Sequence, residues 1–454
     1  MKNEKIKKVL LFSIGIFVFV HLNAQKHDAM VQQLLQQNNW FVLDKEYPQI
    51  KDSIKAPELK WLTESILNLK FNESNAAISS IDTLLYKYQQ DIGLSNSLEL
   101  FRYKISLLVE KGEYGLAADE LQDLLEQLTP HLSQEELKEF EEHYNLYNLL
   151  RNESRPTIIR PDKDVEIPYG IMDINFIIQN RDTLKETTTQ LGIVKLSIQG
   201  KEGLFLLDTG CEKTCIFDNF SKKIDLHYVK DSVLILGTGI TNGKLAILDS
   251  VSLGEVTFYN SLVATADNFL TYSGLFVNEE LNDVVQGILG IDFIKRIGEI
   301  EIYPQNRKIV IPSKDSELPY TGKNIMLDNR NYIILKTFND KEELITFHID
   351  SGNSNSCMFK SYYLKNKKDI ENKLEKQLFN SLGVGSLKQN TSYLLPSLEF
   401  VIGDTNCYLN NISVFIDNVF TEDINADGSL GFDFINKFSK ITLNLNKMFV
   451  QVEK

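Results

Sequence analysis

The sequence predicts a multidomain α+β chain, an N-terminal α-helical, repeat-like domain followed by two pseudo-symmetric all-β lobes. Three observations carry that expectation. Apolar residues recur at three- and four-residue spacing from residue 26 to about 150, as in Leu62, Ile66, Leu69 and Leu116, Leu121, Leu124, Leu125, Leu128. Short β-rich runs separated by turns then take over, as in Ile193 to Ile198 and Leu204 to Leu207. The β-rich half also repeats itself, landmark by landmark, at near-constant offset.

The 454 residues are enough for two or three domains, and a 43% hydrophobic and 24% charged composition is that of an ordinary globular protein. The formal net charge of −14 argues against nucleic acid or anionic lipid as a partner. The expected boundaries are a signal peptide over 1–24, a helical domain over 26–150, a linker over 151–170, and lobes over 171–315 and 316–454.

The first segment reads as an export signal. Lys2, Lys5, Lys7 and Lys8 precede an apolar run from Val9 to Val20, and Leu22-Asn23-Ala24 puts a small residue before Gln25. The run is shorter than the ~20 residues of a spanning helix, so cleavage after Ala24 is expected rather than a membrane anchor. The mature chain is then expected outside the cytoplasm, periplasmic or secreted, with no stable membrane insertion.

In the helical region, Ala76-Ala77 and Ala117-Ala118 lie 41 residues apart, and Gly112 to Ala117 has the Gly, Tyr and Ala spacing of a tetratricopeptide-like turn. A short helical-hairpin array and a plain bundle both fit. No chemically competent cluster occurs here, so the region is expected to position the chain or to engage a protein partner. Pro156, Pro161 and Pro168 among mixed charges predict the linker.

The repeat carries the chemistry. Phe205-Leu206-Leu207-Asp208-Thr209-Gly210 is followed by Cys211 and, three residues later, by Thr214-Cys215. Phe347-His348-Ile349-Asp350-Ser351-Gly352 is followed likewise by Asn353 and then Ser356-Cys357, at an offset of 142. Downstream, Gly287-Ile288-Leu289-Gly290-Ile291-Asp292 matches Gly428-Ser429-Leu430-Gly431-Phe432-Asp433 at an offset of 141. Between these stand Gly237-Thr238-Gly239 and Gly383-Val384-Gly385, candidate flap turns or ordinary hairpin turns. A duplicated β domain accounts for this order and spacing.

These residues resemble the retropepsin-like aspartic peptidases, and two copies in one chain are similar to the bilobal pepsin arrangement. The resemblance covers residues 190 to 454. It implies an aspartic endopeptidase that hydrolyses peptide bonds with a water activated between Asp208 and Asp350, using no metal or cofactor. It also implies roles for the neighbours. Thr209 and Ser351 would bond across the lobe interface, and Gly210 and Gly352 would make room for the tight turns. Leu289-Gly290 and Leu430-Gly431 would pack behind the aspartate loops. The substrate class is a peptide or protein. The alternative is a catalytically silent exported scaffold that binds a partner through its helices.

One carboxylate alone is a poor general base, whereas two held about 3 Å apart cannot both ionise and so share a proton. Each lobe supplies one, so the lobes must meet at a pseudo-twofold axis. The sequence departs from the family at Cys211 and Asn353, where a small apolar residue is usual, and at Ser429, which stands where lobe one has Ile288. His348 reads either as a partner of Asp350 or as an interior strand residue. Cys211 reads as a nucleophile only if something activates it. Asp292 and Asp433 are expected to cap the short helices that follow. Cys211, Cys215, Cys357 and Cys407 allow three complete pairings or none.

Overall fold

The computed structural model describes residues 26–180, 183–236, 240–267, 284–383, 386–419 and 424–454. The expected signal peptide, the turn at 237–239 and positions 384 and 385 lie outside them. The chain divides into two compact units between Arg155 and Pro156.

The first unit is helical: Lys26–Gln36, Trp40–Ile50, Pro57–Lys70, Ser74–Lys87, Gln89–Glu110, Tyr114–Leu128 and Gln134–Leu149. The apolar periodicity explains the packing. Phe101, Ile105, Leu108, Ala117, Leu121, Leu128, Leu137 and Phe140 form one buried cluster. Ala77, Ala117 and Ala118 are fully buried, which lets helices approach closely. Lys104 is buried yet accepted by two carboxylates, Asp82 and Glu120, each at 2.6 Å. Ser133 and Glu136 close a reciprocal cap at the start of the last helix. Among the described residues, no helix is long and apolar enough to cross a membrane.

The second unit is β-rich, with two sheets. In lobe one the strand Lys201–Leu207 runs parallel to Val285–Leu289, which lies between it and the antiparallel strand Cys215–Phe217. In lobe two Leu344–Ile349 runs parallel to Gly428–Leu430, which lies between it and the antiparallel strand Cys357–Met358. The duplication in sequence is therefore a duplication in connectivity.

The two lobes also share backbone. Lys440–Asn444 and Phe449–Glu453, from the end of lobe two, extend the lobe-one strands Glu299–Tyr303 and Lys308–Ile311. Glu301 is the Cα partner of Thr442. The offset of 141 carries Glu301 onto Thr442, so this pair sits on the pseudo-twofold axis. A continuous sheet thus fixes the lobes against each other by main-chain hydrogen bonds.

The expected linker over 151–170 needs correction. Thr157–Ile159 pairs with Val256–Ala266, and Val165 to Pro168 pairs with Lys308–Ile311. The expected start of lobe one at 171 falls inside the strand Val165–Asn180. Prolines suggested a linker, but they sit where a ladder tolerates them. Pro156 precedes a strand, and Pro168 is on the exposed side of a segment that buries Val165, Ile167 and Tyr169 in alternation. That period of two outweighs the prolines.

Candidate active site

Each motif aspartate stands where a strand ends. The backbone N–H of Asp208 donates to Leu289 O and that of Asp350 to Leu430 O, both at 3.0 Å. The chain then turns back: Cys211 N donates to Asp208 O at 3.3 Å, and Asn353 N to Asp350 O at 3.1 Å. Each turn is anchored from behind, by Ile291 N to Cys211 O at 2.9 Å and Phe432 N to Asn353 O at 2.7 Å.

The hydroxyl residues lock the two loops together. Thr209 N donates to Ser351 Oγ and Ser351 N donates to Thr209 Oγ1, each at 3.0 Å. Each hydroxyl then donates to the strand opposite, Thr209 Oγ1 to Ile349 O at 2.7 Å and Ser351 Oγ to Leu207 O at 2.8 Å. Four bonds related by the pseudo-twofold axis, with both hydroxyl residues buried, hold the loops in one register.

The glycines bring the carboxyls together. A Cβ on Gly210 would lie 2.4 Å from Asp350 Oδ1, and one on Gly352 would lie 2.1 Å from Asp208 Cγ. Each carboxyl therefore rests on the glycine of the opposite lobe, in space that a side chain would fill. The two carboxyls are thereby brought together at the lobe interface, close enough for each to perturb the acidity of the other. Gly210 N donates to Asp208 Oδ1 at 2.9 Å, and Gly352 N and Asn353 N each donate to Asp350 Oδ1 at 3.1 Å.

Burial raises the pKa of Asp208, opposed by its hydrogen bonds to Gly210, Asp350 and Cys211. Asp350 is likewise pushed above its ordinary value, first by burial and then by the charge of Asp208. Each carboxylate disfavours a second negative charge beside it, so the pair holds a proton more readily than either carboxyl would alone. Asp350, 7% exposed, lies deeper than the half-buried Asp208, and burial favours the protonated form.

The residues behind the loops differ in part from expectation. Leu289 and Leu430 are buried. A Cβ on Gly290 would lie 2.7 Å from Cys211 O and one on Gly431 2.5 Å from Asn353 O, so only glycine lets the backbones approach this closely. Asp292 and Asp433 instead brace the loops. Asp292 Oδ1 accepts from Thr214 N at 3.0 Å and Thr214 Oγ1 at 2.8 Å. Asp433 Oδ1 accepts from Ser356 N at 2.6 Å and Ser356 Oγ at 2.7 Å. The hydroxyls in turn accept from Gly290 N at 3.0 Å and Gly431 N at 2.9 Å. Thr214 and Ser356 were visible as the second hydroxyl of each motif, but their partners lie more than 70 residues away.

Cys211, Cys215, Cys357 and Cys407 are all free thiols. Burial and the neighbouring Asp208 drive the Cys211 thiol well above its ordinary pKa, the opposite of what a thiolate nucleophile needs. His348 is fully interior, with Nδ1 4.0 Å from Asp350 Oδ2 and its ring against Tyr332.

Comparison with known proteins adds a family likeness. Residues 194–293 match the family model described as aspartyl protease. Among solved structures, the chain is similar to a basic 7S globulin from soybean at 12% identity and a TM-score of 0.38, covering 64% of this chain and 95% of that one. It is also similar to conglutin gamma, a basic 7S globulin from lupine seeds, at 11% identity and a TM-score of 0.33, covering 63% and 95%. No curated protein matches the chain.

Proposed function

We propose that this chain is an exported aspartic endopeptidase whose catalytic pair is Asp208 and Asp350. The observation that carries the reading is the pair itself: two carboxyls, one from each lobe, each seated on the glycine of the other lobe and locked by reciprocal Thr209 and Ser351 bonds. The aspartyl protease match over residues 194–293 supports it for lobe one, and the repeated connectivity extends the argument to lobe two.

The chemistry follows from the unequal environments. Asp208 is the ionised member and takes a proton from a water held between the carboxyls. Asp350 is the protonated member and gives its proton to the carbonyl oxygen of the scissile bond as that water attacks. The nucleophile is water, so no covalent intermediate with the chain forms. The helical unit is read as a positioning or partner-binding module. The lysine-led apolar segment at residues 2–24 supports export.

The test is cleavage of a mixed peptide library by the mature protein from pH 3 to 8, with Asp208→Asn, Asp350→Asn and pepstatin alongside. Cleavage that both variants abolish supports the reading. Cleavage that survives in both refutes it, and a folded protein that cleaves nothing at any pH moves the assignment to a binding role.

A further inference from the structure

Directly behind each aspartate lies a layer of three side chains, one from each of three adjacent strands. In lobe one, Ile288 has Leu206 and Cys215 as its register partners. In lobe two, Ser429 has His348 and Cys357. All six are buried, and the two cysteines match. The other two positions do not: an apolar pair behind Asp208 is replaced by an imidazole and a hydroxyl behind Asp350.

That replacement is unfavourable for stability as it stands. Both nitrogens of His348 and Oγ of Ser429 are buried without a hydrogen-bond partner. An orphaned buried polar atom costs free energy that Leu206 and Ile288 avoid in the same architecture. The ring is also aimed. Asp350 Oδ1 already accepts from Gly352 N and Asn353 N, while Oδ2 faces His348 Nδ1 at 4.0 Å.

We propose that His348 is a positioning residue for Asp350, its Nδ1–H closing on Oδ2 when Asp350 becomes a carboxylate, with the hydroxyl of Ser429 beside it in the same layer. The inference rests on the peptidase reading above. In the attack step Asp350 loses its proton to the carbonyl oxygen and Asp208 gains one from water. The imidazole keeps its own proton throughout and supplies only a hydrogen bond to the new charge. Burial holds the pKa of the ring down at about 3, so it is neutral above that pH. The titratable groups around it are Asp350 on its own strand, Asp208 across the lobe interface, Cys357 two strands away and Tyr332, whose ring centroid is 4.8 Å distant. The polar layer would thus make a pseudo-symmetric pair chemically unequal.

The experiment compares His348→Leu, which installs the lobe-one residue, with His348→Asn, which retains an N–H near the Nδ1 position. The full-length protein is used, with kcat, KM and the ¹³C titration of the Asp350 carboxyl followed across pH. The leucine variant is expected to lose about tenfold in kcat at unchanged KM. Its alkaline limb and the Asp350 midpoint should both move up, because a donor to the carboxylate is gone. The asparagine variant should hold close to wild type. An unmoved midpoint with wild-type kcat in the leucine variant overturns the proposal, as does an asparagine variant that falls equally far. Should His348→Leu fail to fold, the double variant His348→Leu/Ser429→Ile rebuilds the whole lobe-one layer and answers the same question. A wild-type protein that cleaves nothing sinks the peptidase reading, and the carboxyl titration alone then decides the role of His348.

Discussion

Replacing Thr209 by Val keeps the shape of the side chain and removes its hydroxyl. In the folded protein that hydroxyl donates to Ile349 O at 2.7 Å and accepts from Ser351 N at 3.0 Å. Both partners are main-chain groups in the buried interface, and both are left unpaired. At about 1–3 kcal/mol for each orphaned group, Thr209→Val should destabilise the β-rich unit by roughly 2–6 kcal/mol. For a unit of this size, each kcal/mol lowers the melting temperature by about 2–3 °C, so the expected drop is roughly 4–18 °C. Scanning calorimetry and far-UV circular dichroism measure it. The only tryptophans, Trp40 and Trp61, both lie in the helical unit, so their fluorescence identifies that unit's transition separately. Activity should suffer more than stability, because the same bonds set the separation of the carboxyls. A misplacement of about 1 Å is worth about a hundredfold in rate. Thr209→Ser should rescue both properties, since lobe two already uses Ser351 at this place. A valine variant that melts within 1 °C of wild type and cleaves at full rate would refute the idea that the hydroxyl lock assembles the site.

The remaining predictions use other contacts. Gly352→Ala puts a Cβ within 2.1 Å of Asp208 Cγ, so it should lower kcat/KM by more than about a hundredfold, seen in peptide turnover. Asp350→Asn should abolish cleavage and also raise the melting temperature. A carboxyl whose folded pKa is raised contributes stability below its unfolded pKa and loses it as pH rises, so the gain from the amide should grow as pH rises above about 4. His348 titrates in the opposite sense. Its folded pKa of about 3 lies below its ordinary 6.5, so its contribution is intact above pH 6.5 and lost as pH falls toward 3. Guanidinium unfolding should therefore show His348→Leu gaining on wild type by roughly 3 kcal/mol between pH 7 and pH 4. Thr214→Val breaks the brace from Asp292 to Gly290 and should cost about 1–3 kcal/mol, with Ser356→Ala giving the matching loss in lobe two.

The sequence alone determined the order of parts and the identity of the carboxyls. Helical periodicity marked the first unit, and two motifs at constant offset marked a duplicated β domain with Asp208 and Asp350 as equivalent residues. Those signals are local, carried by patterns within a few residues and by the comparison of one copy with another. Only the tertiary structure decided what lies between distant segments. Strands from residues 157 to 168 and from 440 to 453 join one sheet, because hydrogen-bonding partners in a ladder are set by register across the fold and not by proline content. Asp292 and Asp433 looked like helix caps and are braces, because a carboxylate one residue into a helix can also reach a loop folded back against it. His348 read either as a partner of Asp350 or as an interior strand residue, and the fold makes it interior with one nitrogen turned to Asp350 Oδ2. The inequality of the pair is likewise tertiary. Equal motifs sit at unequal depth, because burial depends on what packs around each carboxyl.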